Sequence, residues 1–99
     1  MAQFSNPFVG NIPRKISPEE LIQALRTDIA GELEAILVYD AHVHATDDLR
    51  VKNVLGSIRD EEKQHVGELL SLIKMLDPQE GEYLKKGEQE VDSLLGVTV

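Results

Sequence analysis

The chain has 99 residues, room for one small domain with little core. It contains no cysteine, which removes disulfides, thiolate metal sites and cysteine nucleophiles and suits a reducing compartment. Eighteen acidic against ten basic residues give a net charge of -8, a field that opposes nucleic-acid binding, and with two Phe, two Tyr and no Trp nothing favours stacking of bases or sugars.

No basic segment precedes an apolar run, and no apolar stretch approaches the roughly 20 residues a bilayer requires. Neither a secretory signal nor a membrane partner is expected. Residues 1–16, MAQFSNPFVGNIPRKI, carry two of the four prolines and one of the seven glycines. No helical period survives there, so the segment reads as an irregular arm whose Phe4, Phe8, Val9 and Ile12 dock on something.

SPEE at 17–20 is a helix start: Ser17 caps, Pro18 suits the first helical position, and Glu20 closes a capping box. Apolar residues recur at Leu21, Leu25, Ile29, Leu33, Ile36 and Leu37, a helical period that carries the first helix from 18 to about 44. ATDDL at 45–49 breaks the pattern and offers Thr46 or Asp47 as the next cap. A second series follows through Val51, Val54, Leu55, Ile58, Val66, Leu69, Leu72, Ile73 and Leu76. The short link makes the two helices antiparallel neighbours. Gly56 and Gly67 sit inside the second helix, and close approach of another helix is the expectation that would explain them. DPQE at 77–80 repeats the start signal, with Asp77 capping, Pro78 leading and Glu80 answering. A third helix with Tyr83, Leu84, Val91, Leu94 and Leu95 should then end near Gly96, its thin apolar stripe packing on another chain.

The expected fold is all-α: two long antiparallel helices and a short third one, spanning residues 17–96, with 97–99 as a tail or the start of a linker. Two helices alone cannot bury apolar stripes of this length. A pair of hairpins related by a two-fold axis would supply four helices, a ferritin-like bundle completed by dimerisation.

The seams themselves are unusual. The first runs Leu21, Leu25, Ile29, Glu32, Ile36, Tyr39; the second runs Val51, Leu55, Ile58, Glu62, His65, Leu69, Leu72, Leu76. Polar groups occupy Glu32, Glu62 and His65 where a structural seam prefers Leu or Ile. In an antiparallel hairpin Glu32 and Glu62 fall side by side. Burying unpaired carboxylates costs several kcal/mol, and neither stripe carries a Lys or Arg near that level. A metal ion answers all three groups at once; this donor set suits iron or manganese, with zinc also possible. The plain alternative is a buried polar network that fixes register, because Glu-x-x-His is a common accident in an acidic chain.

One hairpin is short of the usual two-metal carboxylate set, which takes a Glu from each of two helices and a Glu-x-x-His from each of two others. Two copies provide it, and the same symmetry covers the bare stripes. Tyr39 shares the face of Glu32 two turns away, as a second polar group near the centre or as packing. Glu34 is nearly opposite Glu32 in azimuth and reads as a weak outer cation site or a solvated acid. Glu68 is a rim candidate, and Glu61 and Asp60 read as solvated. Asp40 and His44, beside His42 and Asp47 at the hairpin end, are one turn apart and could hold a loose metal.

With its SPEEL start, the segment GELEAILVYD around Glu32 and Tyr39, and RDEEKQH containing Glu62 and His65, the chain resembles the encapsulated ferritins over residues from about 18 to 95. The resemblance implies metal ligands at Glu32, Glu62 and His65, with Tyr39 alongside. It implies two iron ions, Fe(2+)/Fe(3+), shared between two chains, and dimers assembled into an annular decamer. It also implies ferroxidase activity with dioxygen, and a cytoplasmic place inside an encapsulin nanocompartment that stores the iron. Some members carry an acid immediately before the first ligand and a tryptophan further along, where this chain has Gly31 and Val38; the outer site with Glu34 is then weaker or differently built. The final SLLGVTV matches a cargo-targeting peptide poorly, and an end at Val99 also fits a domain fused to the front of the encapsulin shell protein. The rival is a non-catalytic acidic helical adaptor or a metal-stapled oligomerisation module. A peroxide-scavenging di-iron enzyme of the rubrerythrin kind would need further ligands.

Overall fold

The computed structural model describes residues 11–96, so Phe4, Phe8 and Val9 of the arm and the tail 97–99 lie outside the described residues. Three helices follow in order: α1 (Pro18–Ala45), α2 (Leu49–Leu76) and α3 (Pro78–Leu94). The architecture is all-α, with two 28-residue helices in an antiparallel pair and a 17-residue third.

Helix α1 starts as its first turn dictates. Ser17 Oγ accepts from the Glu20 amide at 3.2 Å, and Glu20 Oε1 accepts from the Ser17 amide at 3.0 Å. The Arg14 guanidinium forks onto the same carboxylate at 3.1 and 2.7 Å, tying the preceding segment down. That segment holds no helix or strand over 11–17, and Ile12 is exposed rather than docked on the described chain.

The link between α1 and α2 differs from expectation in one respect. The cap of α2 is Asp48, not Thr46 or Asp47: its Oδ1 accepts from the Arg50 amide at 3.0 Å. Thr46 is instead the C-cap of α1, and its Oγ1 accepts from the Asp48 amide at 3.2 Å. A cap side chain must reach the amide two or three residues ahead, and with α2 beginning at Leu49 only Asp48 is in register.

A single residue, Asp77, separates α2 from α3 and caps the latter by accepting from the Gln79 amide at 3.1 Å. Glu80 does not close a capping box there. Its carboxylate receives the Arg26 guanidinium in a two-point pair, 2.8 Å at each contact, which ties the start of α3 to α1. A bidentate Arg–carboxylate fork outcompetes a single bond from a cap amide. At the other end Gly96, at φ +75, takes the left-handed conformation that stops α3 where a side chain would strain.

The described residues form a thin slab, 49 × 45 × 16 Å, in which α1 and α2 pack along their length while α3 turns away after its first turns. Among the described residues only Leu25 and Ile73 are buried, and Leu37 is 70% exposed. Val54, Tyr83, Leu94 and Leu95 are also open to solvent. Apolar surface of that extent is unstable in water until something covers it. Gly56 and Gly67 are not explained by close approach within the hairpin: a Cβ on Gly67 would meet nothing within 4 Å, and one on Gly56 only the end of Arg59 at 3.6 Å.

Candidate metal centre

Midway along the pair, α1 presents Glu32 and α2 presents Glu62 and His65 toward one another. The i, i+3 spacing places Glu62 and His65 one above the other on α2. His65 Nδ1 lies 3.4 Å from Glu62 Oε2 and 3.5 Å from Glu32 Oε2. One ligand atom from each of the three falls within 4.8 Å of the other two, and this is the group of potential metal donors found among the described residues.

The cluster is half-sheltered: Glu62 is 19%, Glu32 25% and His65 43% exposed. Glu32 Oε2 itself is buried and has no hydrogen-bond partner. The His65 nitrogen within ion-pair range is too far for a sound hydrogen bond, so the oxygen is near a partner without being satisfied by one. A buried carboxylate oxygen left in that state costs free energy that a cation at the same place would return. Two carboxylates and one imidazole, with no sulfur among them, are donors for iron, manganese or zinc. The residues present therefore fit a metal ion.

The three residues line up as the seam pattern predicts, and the neighbours sort around them. Tyr39, half-buried, lines the same open trough of about 1020 Å³ as Glu32 and Glu62. Asp28, Gly31 and Glu34 line it too, but Glu34 stands outside the three-residue cluster. Glu61 and Glu68 are exposed. Asp60, expected to be solvated, is exposed yet pairs with Arg59 Nε at 3.1 Å and with Lys63 Nζ at 3.6 Å.

At the hairpin end Asp40 and His44 approach only to 3.6 Å, and they form no three-donor group with a neighbour. Asp40 is engaged elsewhere, accepting from Arg59 Nη1 at 2.7 Å. Arg59 is the residue the seam reading passes over. Only 22% exposed, it sits three residues before Glu62 and bonds across to α1. The pairing with Asp40, and then with Asp60, raises the Arg59 pKa, and Arg59 in turn holds the Asp60 carboxyl below its ordinary value. Its position beside an acid at 60 and one turn before Glu62 is visible in RDEEKQH; its partner on α1 is not.

A family model described as EncFtn-like matches residues 15–88. The chain is 37% identical over 86 residues to the encapsulin nanocompartment cargo protein EncC of Myxococcus xanthus, an alignment covering 87% of this chain and 66% of that one. It is 38% identical over 92 residues to a ferritin-like-encapsulin shell fusion protein of Pyrococcus furiosus, covering 93% of this chain but 27% of the other. The chain thus spans just under two thirds of the first relative and about a quarter of the second. In three dimensions it resembles the crystal structure of the encapsulated ferritin domain from Pyrococcus furiosus, with a TM-score of 0.84, 37% identity, and coverage of 95% of this chain and 96% of that one.

Proposed function

The chain belongs to the EncFtn-like family, and from that premise we propose that it is a ferroxidase, oxidising Fe(II) to Fe(III) with dioxygen at a di-iron centre shared between two copies. The observation that carries the reading is the convergence of Glu32, Glu62 and His65 around a buried, unpartnered carboxylate oxygen. One chain contributes two carboxylates and one imidazole, half of a two-metal set, and a second copy brought across the exposed apolar faces contributes the other half.

Fe(II) is the substrate, each ion giving up one electron to dioxygen. Glu32 and Glu62 supply hard anionic oxygens, which hold Fe(III) more strongly than Fe(II) and so favour the oxidised state. Such carboxylates from two copies would hold a pair of ions close enough for dioxygen to take an electron from each. His65, one turn from Glu62 on α2, would give one ring nitrogen to the iron. Tyr39 lines the trough, and its phenol would offer a hydrogen-bond donor beside the bound iron. Ile36, Ile58 and Leu69 are half-buried in the same seam and limit water around the carboxylates. Glu34 is proposed as an outer cation contact at the edge of the trough.

Annular assembly as a decamer, residence inside an encapsulin nanocompartment in the cytoplasm, and delivery of Fe(III) for storage there are part of this proposal. Support comes from relatives of two kinds, one named as a cargo protein and one as a shell fusion, so the shell is a partner either in trans or on the same chain.

The test is iron content per chain beside solution mass, followed by oxidation. One iron per chain in a dimer or larger ring, with a ferric absorbance rise when air reaches the anaerobic Fe(II) protein, is the expected result. Replacing Glu32, Glu62 and His65 together by Ala should abolish turnover and leave the helices in place. Equal oxidation by that variant would overturn the enzyme reading; one zinc per chain with no oxidation would leave a metal-stapled oligomerisation module.

A further inference from the structure

Arg59 is a cation in the wrong place for a metal centre. It stands three residues before Glu62 on the same helix, and residues so spaced are surface neighbours whose Cβ atoms lie about 5–6 Å apart. A guanidinium on a long stem reaches a carboxylate at that distance easily, and Arg–carboxylate pairing is a strong, charge-assisted contact. Yet Arg59 does not touch Glu62. Nη1 donates to Asp40 on α1 at 2.7 Å and Nε to Asp60 on α2 at 3.1 Å, so two edges of the guanidinium are occupied by residues outside the cluster. Glu62 is left with the His65 Nδ1 at 3.4 Å as its near nitrogen neighbour.

We propose that Asp40 and Asp60 are positioning residues for the metal centre: by holding Arg59 between them they keep the nearest arginine off Glu62, leaving that carboxylate free for metal. Asp40 comes from the opposite helix, so the diversion exists only when α1 and α2 are in register. Without the two aspartates the released guanidinium would turn to Glu62, whose carboxylate is largely sheltered, and would compete with metal for the same oxygens. The inference rests on the metal-binding reading of Glu32, Glu62 and His65. It adds that the site is kept open by an ion pair that touches none of the three.

The experiment is anaerobic Fe(II) binding by calorimetry on the full chain and on three variants: D40N/D60N, R59Q, and the triple D40N/D60N/R59Q. The double variant should bind about fivefold more weakly, while R59Q alone and the triple should stay within about twofold of the parent. Recovery in the triple is the decisive arm, because a bracing role for the Asp40–Arg59 bond would not be rescued by deleting the arginine. A triple as weak as the double, or a double equal to the parent, would overturn the inference. So would severalfold tighter binding by R59Q alone, which would mean that the arginine acts through its long-range field. Should the double variant lose helix, D40N alone, which frees the Nη1 edge, should weaken binding about threefold; a change within about twofold there counts against the inference equally. If the parent chain binds no Fe(II), the metal reading itself falls and takes this inference with it, an outcome distinct from all of the others.

Discussion

Replacing Glu32 by Leu is expected to strengthen the metal-free protein and to abolish its response to metal. Both effects follow from one atom. Glu32 Oε2 is buried without a hydrogen bond and lies within 4.8 Å of a second carboxylate from Glu62. A fully dry orphan of this kind costs about 1–3 kcal/mol. Glu32 keeps a quarter of its side chain in solvent and has His65 nearby, so the lower end applies: E32L should gain about 1 kcal/mol in chelator, or about 4–8 °C in Tm for a chain of this size. Metal should stabilise the parent by about 2.7 kcal/mol at a hundredfold excess over Kd and should leave E32L unmoved. The assay is thermal unfolding followed by far-UV circular dichroism, first with chelator and then with anaerobic Fe(II). Melting of chelated E32L below the chelated parent would refute the reasoning, since it would mean that Glu32 supports the hairpin by a bond of its own. E32Q, which keeps a polar group at the site, should lose the metal response without the gain.

Arg14, and next the Ser17 amide, pull the Glu20 carboxyl down to about 2. A depressed pKa stabilises the fold fully above the ordinary carboxylate range and loses that contribution as pH falls through about 2, so E20Q should flatten the acid limb of an equilibrium pH titration of helix content. The Glu80 carboxyl is likewise held low by Arg26, so the tie between α1 and α3 should persist at neutral pH and weaken in acid; R26A should speed amide exchange in α3 while leaving the middle of α2 protected. Gly67→Ala should stabilise the metal-free chain by about 1 kcal/mol in urea unfolding, because the added Cβ meets nothing within the hairpin. Destabilisation would reveal a close neighbour contributed by another copy.

Much of this molecule was written in its local chemistry. Ser17, Pro18 and Glu20 fix the start of α1, Asp77 with Pro78 fixes that of α3, and a 3.6-residue period carries both long helices. The polar interruptions at Glu32, Glu62 and His65 were legible too, because antiparallel pairing across a short link leaves one choice of which seam positions meet. These features depend on residues a few positions apart, so the chain order alone contains them.

The tertiary structure decided everything that depends on a fork reaching between elements. Glu80 has the spacing of a capping partner, but Arg26 claims it from α1. Asp40 has the spacing of a metal ligand with His44, but Arg59 claims it from α2. Thr46 and Asp47 both have cap chemistry, yet the register of α2 selects Asp48. In the first two cases a side chain with an adequate local partner takes a distant charged one instead, because a bidentate or charge-assisted contact outweighs a weaker local one. Sequence spacing ranks only the partners within a turn or two. Which arginine reaches which carboxylate is set by how two helices lie against each other, and that is fixed only when the apolar faces pack.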